Sequence, residues 1–216
     1  MNSREERRIL LFTGGNLGTW ALQEIRTSDT LVGVDRGAFF LLQHGMKPDL
    51  AIGDFDSVSE EELQSIRTQV NDLQTCDPVW KDWTDTEMAF HWALEQSPAE
   101  IILLGALGTR FDHSFANVQL LVRALRAGVS CRIVDEKNEL TLLDRTGHVS
   151  KSSFSHVSLL PFSPEVTGIT LTGFQYPLNQ ATLRWGESLG ISNVLVEETG
   201  TIQIGSGYLL VIKSKD

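Results

Sequence analysis

The chain has 216 residues, of which 41% are hydrophobic and 21% charged, a composition typical of globular proteins and a length sufficient for two domains. Its net charge of -10 argues against a nucleic-acid-binding surface, which should be basic, and leaves nucleotide substrates open. No apolar run approaches the roughly 20 residues needed to cross a bilayer, so we expect no membrane association.

The first eight residues are rich in charged side chains and lack the apolar core of a signal peptide. The two cysteines, Cys76 and Cys131, are far apart and have no metal-ligand spacing, which indicates two small buried hydrophobes. We therefore expect a cytoplasmic protein.

Residues 1–136 alternate short apolar runs with segments of helical periodicity, the pattern of a parallel sheet covered on both faces. The predicted strands are Arg8–Thr13, Thr30–Val34, Asp49–Ile52, Asp72–Thr75, Glu100–Leu104 and Ser130–Val134. The predicted helices are Leu17–Ile25, Ala38–His44, Glu60–Gln69, a segment from the Thr84 cap to Leu94, and a long helix ending at Ala127. Ser59 with Glu62, and Thr84 with Glu87, have the spacing of capping boxes.

Residues 137–216 differ in pattern and composition, because helical periodicity disappears and Thr, Val, Ser and Gly become frequent. This pattern predicts a C-terminal β-sandwich or partly open barrel built from short strands. The predicted strands are Glu139–Leu143, Ser155–Leu160, Gly168–Thr172, Ala181–Arg184, Asn193–Glu197, Thr201–Ile204 and Tyr208–Ile212.

Asp54 and Asp56 follow the third predicted strand, directly after Gly53. In extended backbone, residues two positions apart point to the same side, so the two carboxylates should converge on one cation. Asp82 and Asp85 form a second acidic pair, and Mg²⁺ prefers such oxygen ligands together with substrate phosphates. Because the carboxyl ends of parallel strands share one edge, we predict a common site there.

Arg110 lies in a glycine-containing loop before the long helix. A guanidinium beside the N–H groups of a helix start makes a good phosphate clamp. No nucleophile–base pair stands out, which favours phosphoryl-type transfer by positioning and charge neutralisation.

Six motifs in this order resemble those of the thiamine pyrophosphokinase family. They are Asp35–Ala38, Gly53–Ser57, Lys81–Glu87, Gly105–His113, Gly173–Leu178 and Gly190–Asn193. The resemblance covers nearly the whole chain. It departs at Arg36, where many members carry Gly.

The resemblance implies an N-terminal α/β domain, a C-terminal β-sandwich and a homodimer. It also implies Mg²⁺-dependent transfer of pyrophosphate from ATP to thiamine, giving thiamine diphosphate and AMP.

The implied metal and polyphosphate ligands are Asp54, Asp56, Asp82 and Asp85. Arg110 and Asp112 would orient phosphate and help the attacking hydroxyl, and Asp82 and Asp112 are the candidates for its proton acceptor. The implied ATP-binding residues are Asp35, Arg36, Gly37, Lys81, Thr84, Thr109, Arg110 and His113. The implied thiamine-binding residues are Tyr176, Ser192 and Asn193, in a pocket across the dimer interface.

Two other functions are compatible with parts of the sequence. Residues 54–58 fit the DxDx[TV] signature of haloacid-dehalogenase-type phosphatases, in which Asp54 would be the nucleophile, although that signature normally lies on the first strand. A non-catalytic nucleotide sensor is the other alternative, but clustered acids repel one another unless a cation is bound.

Overall fold

The computed structural model describes residues 7–75 and 82–216. The chain divides into two compact units, Met1–Glu136 and Lys137–Asp216. The first is an α/β domain and the second is an antiparallel β-sandwich, as predicted.

The described part of the N-terminal unit contains six strands and five helices. The strands are β1 (Arg8–Phe12), β2 (Thr30–Val34), β3 (Leu50–Gly53), β4 (Asp72–Thr75), β5 (Glu100–Leu104) and β6 (Ser130–Val134). The helices are α1 (Thr19–Leu22), α2 (Arg36–Gln43), α3 (Glu60–Gln69), α4 (Asp85–Glu95) and α5 (Phe111–Ala127). Neighbouring strands pair in parallel, in the order β4-β3-β2-β1-β5-β6.

The strand order reverses between β1 and β5, which makes this pair the topological switch point of the sheet. In open α/β sheets, ligands bind in the crevice outside the carboxyl ends of the strands at such a point. Strands β1 and β5 are completely buried apart from Glu100, and Thr13 Oγ1 joins their ends by a 3.2 Å hydrogen bond to Leu104 O.

Local signals define the ends of α3 and α5 as the sequence predicts, and that of α4 only in part. Ser59 and Glu62 form a complete capping box at the start of α3, and Gly128 ends α5 with a φ of 70°. At α4, Thr84 accepts a hydrogen bond from Glu87 N, but the Glu87 carboxylate lies 3.0 Å from Arg123 Nη2. The predicted second capping box is therefore only half formed, because Glu87 serves as an ion-pair partner.

Helix α1 is much shorter than the predicted Leu17–Ile25. The α-helix ends at Leu22, hydrogen-bonded turns continue to Ile25, and Glu24 O accepts a hydrogen bond from the buried Arg8 guanidinium at 2.7 Å. Asp29 then caps Arg26 N at 2.7 Å, and the chain returns to the sheet. Satisfying a buried guanidinium outweighs the extension of a surface helix.

The C-terminal unit consists of two antiparallel sheets, with strand orders β7-β13-β9 and β11-β10-β12-β8. Its strands are β7 (Asn138–Leu143), β8 (Gly147–Ser150), β9 (His156–Pro161), β10 (Glu165–Thr172), β11 (Ala181–Arg184), β12 (Thr199–Gln203) and β13 (Leu209–Ser214). Alternate residues of both sheets form one core, which includes Leu159, Ile169, Leu183, Ile202 and Leu209.

Two predictions for this unit are wrong. Strand β8 was missed because Val149 is the one buried residue in its short sequence. The predicted strand Asn193–Glu197 is absent from the described chain as a strand and makes only single bridges at Asn193 and Leu195. Instead, Val194 O accepts a hydrogen bond from Gln175 N, and the Asn193 side chain accepts one from Tyr176 N.

None of the helices that the model describes has both the length and the hydropathy of a transmembrane segment.

Candidate active site

A cleft of about 800 Å³ lies at the carboxyl ends of the parallel strands. The segments following β1, β2, β3 and β5 line it, together with the starts of α4 and α5. The predicted site residues in this lining are Asp35, Asp54, Asp56, Asp82, Thr84, Asp85, Thr109, Arg110 and His113. The lining does not include Arg36, Gly37 or Asp112, and Lys81 falls outside the described residues.

Three carboxylates converge in this cleft. One oxygen from each of Asp35, Asp54 and Asp85 lies within 4.8 Å of the others. Two oxygens at about 2.1 Å from one Mg²⁺ are at most about 4.2 Å apart, so a small contraction would place all three on one ion. Hard oxygen donors of this kind suit Mg²⁺, and three like charges this close favour a bound cation.

Gly53 makes the convergence possible. Its φ is +149°, and a Cβ atom built on it would lie 2.0 Å from Asp35 Oδ1. The missing side chain lets the Asp35 carboxylate sit against the loop after β3, where Oδ1 accepts a hydrogen bond from Phe55 N at 3.1 Å. The end of β3 thus orients a carboxylate from the end of β2.

The main chain of the same loop links the other two carboxylates. Asp54 N donates to Asp85 Oδ1 at 3.2 Å, and Asp56 N donates to Asp54 Oδ1 at 3.1 Å. Phe55 has a φ of +58° and is only 4% exposed, because its ring belongs to the core between α2 and α3. The loop is therefore not extended, so extended backbone is not the reason why Asp54 and Asp56 both line the cleft.

The three-carboxylate cluster consequently differs from the set predicted from the sequence. Asp54 and Asp85 belong to it, and Asp35, which was assigned to ATP binding alone, is its third member. Asp56 and Asp82 line the same cleft outside this cluster.

Backbone packing shapes the opposite side of the cleft. A Cβ atom at Gly15 would lie 2.0 Å from Gly105 O, so the turns after β1 and β5 touch main chain to main chain. Ser114 of α5 holds the second turn, since its Oγ accepts from Gly108 N at 3.0 Å and donates to Arg110 O at 3.1 Å. The buried Asn117 donates to Ala106 O at 2.8 Å.

Arg110 and Asp112 form an exposed two-point ion pair at the start of α5, with nitrogen–oxygen distances of 2.6 and 3.3 Å. Their hydrogen bond holds the pKa of the Asp112 carboxyl below its usual range and raises the pKa of Arg110. A carboxylate with a lowered pKa is a weaker base, so this pairing disfavours Asp112 as a proton acceptor.

Gly37 acts through packing. A Cβ atom there would lie 1.8 Å from Phe12 O, so the glycine lets the start of α2 approach β1. The exposed Arg36 begins the same helix. The Asp35–Gly37 segment thus places Asp35 in the cleft.

In the C-terminal unit, Asn193 is buried, and both the oxygen and the nitrogen of its side-chain amide form hydrogen bonds. Its Oδ1 accepts from Tyr176 N and Val194 N, and its Nδ2 donates to Tyr176 O at 2.7 Å. Ser192 has a φ of +57° and donates its N–H to Ser158 Oγ. The Tyr176 side chain is 59% exposed. Asn193 therefore positions the turn that presents Tyr176.

The cleft lining includes residues that were not predicted from the sequence as site residues, among them Thr13, Trp83, Ser114 and Asn117. Ser114 and Asn117 follow Arg110 and His113 by four residues each, so their helical spacing was a usable signal. Thr13 ends the first predicted strand and Trp83 lies inside the Lys81–Glu87 motif, but neither side chain carries a charge.

Two family models match this chain. Residues 21–133 match the catalytic domain of thiamin pyrophosphokinase, and residues 146–209 match its vitamin B1 binding domain.

Individual relatives agree with these matches. The thiamine pyrophosphokinase of Bacillus subtilis (strain 168) is 36% identical over 187 residues, covering 86% of this chain and 87% of that protein. A crystal structure of the enzyme from Bacillus subtilis matches with a TM-score of 0.91 at 32% identity, over 98% of this chain and 100% of the other. The structure from Geobacillus thermodenitrificans has a TM-score of 0.87 at 37% identity, over 97% and 98% of the two chains.

Proposed function

The chain belongs to the thiamine pyrophosphokinase family, and from that premise we propose that its acidic cleft transfers pyrophosphate from ATP to thiamine. The products would be thiamine diphosphate and AMP. The observation that carries this proposal is the convergence of Asp35, Asp54 and Asp85 within the cleft that also holds Arg110. Such an arrangement suits a metal-bound polyphosphate.

The reaction needs no covalent enzyme intermediate. The thiamine hydroxyl oxygen attacks the β-phosphorus, and the bond from that phosphorus to the oxygen bridging it to the α-phosphate breaks. AMP leaves with the bridging oxygen. The hydroxyl proton passes to a base, and we assign that role to Asp82 in preference to Asp112, whose carboxylate is paired with Arg110. Catalysis then rests on positioning and charge neutralisation.

Asp35, Asp54 and Asp85 would hold Mg²⁺, with Asp56 and Asp82 close by in the cleft. Bound there, the ion would neutralise negative charge on the phosphate oxygens. The donor set fits this ion, because all three groups are carboxylates and come from separate elements. The main-chain N–H groups of Asp54 and Phe55 orient the carboxylates of Asp85 and Asp35 by hydrogen bonds.

The ATP polyphosphate would lie along the turns at Gly15 and Gly108, with Arg110 as its cationic partner. Thr84, Thr109 and His113 line the same cleft. The start of α5 offers main-chain N–H groups and the positive end of a helix dipole, which favour anions. Arg110 would bind a phosphate oxygen through Nη1, while its Nε and Nη2 keep their hydrogen bonds to Asp112.

Thiamine recognition involves the C-terminal unit in this proposal. The match of residues 146–209 to a vitamin B1 binding domain supports it. Tyr176 and Ser192 would contact the ligand, and Asn193 would fix the turn between them.

We further propose a homodimer, because large apolar side chains at Trp185, Leu189 and Val196 are more than half exposed in the C-terminal unit. Sedimentation velocity on the wild type and on Leu189→Asp tests this state, and a wild-type protein that sediments as a monomer would contradict it. A cytoplasmic location is supported by Cys131, which forms no disulfide among the residues that the structure describes.

The comparisons lend no support to the two alternatives considered from the sequence. The Asp54 motif also follows the third strand, whereas the phosphatase signature normally lies on the first.

The deciding experiment incubates purified protein with ATP, Mg²⁺ and thiamine and quantifies the nucleotides and thiamine esters. We expect AMP and thiamine diphosphate in equal amounts, and their loss in Asp54→Asn. Formation of ADP or free phosphate instead would contradict the proposed transfer. A wild-type protein that binds ATP without any turnover would favour the nucleotide sensor.

A further inference from the structure

Trp83 is an exposed aromatic residue inside the candidate active site. It lies between Asp82 and Asp85, lines the cleft and keeps 47% of its surface accessible to solvent. An exposed indole presents a large aromatic face that can bind a planar or cationic group. Trp83 presents this face in the cleft that also contains the carboxylate cluster.

The indole is held in place from behind. Its ring stacks on that of His91, with centroids 4.4 Å apart and an interplanar angle of 17°. His91 Nε2 accepts a hydrogen bond from the Arg123 guanidinium, and Arg123 also pairs with Glu87 at 3.0 Å. One indole face is thus covered by the His91 ring, and solvent reaches the remaining surface.

We propose that Trp83 stacks on the positively charged thiazolium ring of the acceptor and thereby helps to select it. This inference rests on the proposed function. Tryptophan is the best of the aromatic side chains at binding cations through its ring face. The carboxylates of Asp82 and Asp85, on either side of Trp83 in the sequence, add further attraction for a cation.

Chain lengths within the substrates favour the acceptor over ATP. In thiamine, two carbon atoms separate the thiazolium ring from the attacking hydroxyl, so the ring must lie next to the reacting phosphate. In ATP, the ribose and the α-phosphate separate the adenine from the attacked β-phosphorus. A platform adjacent to the carboxylates that would hold the metal is therefore placed for the thiazolium.

The test compares Trp83→Leu, Trp83→Phe and the wild type in steady-state kinetics with thiamine and ATP varied separately. Trp92→Leu is the matched control, because Trp92 is half-buried on α4 and is not part of the cleft lining. Thermal unfolding of each variant verifies folding. We expect Trp83→Leu to raise the KM for thiamine about three- to thirtyfold, with the KM for ATP unchanged. Trp83→Phe should recover part of the loss, and Trp92→Leu should behave as the wild type.

An acceptor analogue in which a neutral thiophene replaces the thiazolium separates cation recognition from ring stacking alone. The loss on changing Trp83 to Leu should be smaller for this analogue than for thiamine. A raised KM for ATP with an unchanged KM for thiamine would overturn the proposal and assign Trp83 to adenine. Unchanged constants for both substrates would also overturn it.

Direct titration of thiamine into the wild type and Trp83→Leu, without ATP, measures thiamine binding independently of turnover. It therefore tests the role of Trp83 separately from the proposed transfer reaction. A wild type that makes no AMP would contradict the transfer reaction. Thiamine binding that is weakened by Trp83→Leu would still support the platform, and equal binding by both proteins would contradict it.

Discussion

Asp35 and Phe55 face each other across two neighbouring strand ends, and Phe55 N donates a 3.1 Å hydrogen bond to Asp35 Oδ1. Both residues have positive φ angles, of 47° and 58°, which bulky side chains rarely adopt. Backbone strain of this kind costs about 1–3 kcal/mol per residue and persists only where the surroundings enforce it. Here the buried Phe55 ring enforces it, and the result is a fixed carboxylate in the cleft.

Gly53→Ala should disrupt this arrangement. The added methyl group would meet Asp35 Oδ1, and φ at this position is unfavourable for alanine. We expect activity to fall at least tenfold and unfolding free energy to fall by about 1–3 kcal/mol. Enzyme assays and urea denaturation measure the two effects.

Gly45→Ala is the matched control for that variant. Its φ is +71°, but a Cβ atom there meets nothing within 4 Å. It should lose about 1–2 kcal/mol from backbone strain alone and retain full activity. Equal activity losses in both variants would show that the contact with Asp35 is irrelevant.

Asp35→Asn tests whether Asp35 belongs to the carboxylate cluster that would bind the metal. An Asn oxygen can still accept from Phe55 N, while the negative charge is removed. We expect about 100-fold lower activity and loss of the rise in melting temperature that Mg²⁺ produces in the wild type. In metal-free buffer, the variant should melt at or above the wild-type temperature, because like charges no longer repel.

Asp56→Asn is the comparison for Asp35→Asn, since Asp56 lies in the cleft outside the three-carboxylate cluster. Its effect on the Mg²⁺-dependent melting temperature should be smaller. If Asp56→Asn abolished the metal response and Asp35→Asn retained it, the set predicted from the sequence would be the correct one.

Asn117→Ala should loosen the turn after β5. It removes a buried hydrogen bond to Ala106 O and leaves that carbonyl without this donor. We expect a stability loss of about 1–3 kcal/mol and a higher KM for ATP. Gln69→Ala is the control, because its side-chain hydrogen bond to Ser65 lies on the exposed surface of α3. An unchanged KM for ATP in Asn117→Ala would mean that the turn does not bind the nucleotide.

Arg110→Gln should move the Asp112 titration to higher pH. In the wild type the pKa of Asp112 is lowered, so the pair is formed at neutral pH and is lost as the pH falls through the folded-state pKa. Titration followed by carboxyl NMR should show a higher Asp112 pKa in the variant than in the wild type, because the lowering hydrogen bond of Arg110 is lost. Activity should fall about 100-fold, because the polyphosphate loses its cationic partner.

Arg145→Gln provides the control for the arginine substitution. Arg145 lowers the pKa of Asp144 through a similar exposed hydrogen bond in the C-terminal unit. Its loss should raise the Asp144 pKa and leave turnover unchanged. Full activity in Arg110→Gln would contradict the phosphate role.

Much of the architecture follows from local sequence signals. Apolar strands, the Ser59 capping box and the Gly128 helix end are all short-range features, and the structure reproduces them. The edge at which the site residues meet was also predictable, because the carboxyl ends of parallel strands lie together. Prediction fell short where a short-range signal was absent, as at Gly147–Ser150, or where a distant partner changed the backbone, as at Asn193.

The sequence by itself determined which segments bring carboxylates, glycines and Arg110 to one edge of the sheet, since residue spacing and hydrophobic periodicity are encoded locally. Only the tertiary structure decided which carboxylates converge. Strands β2 and β3 are neighbours, Gly53 leaves space for Asp35, and the buried Phe55 ring turns the loop away from extended geometry. Those relationships depend on contacts between residues distant in sequence.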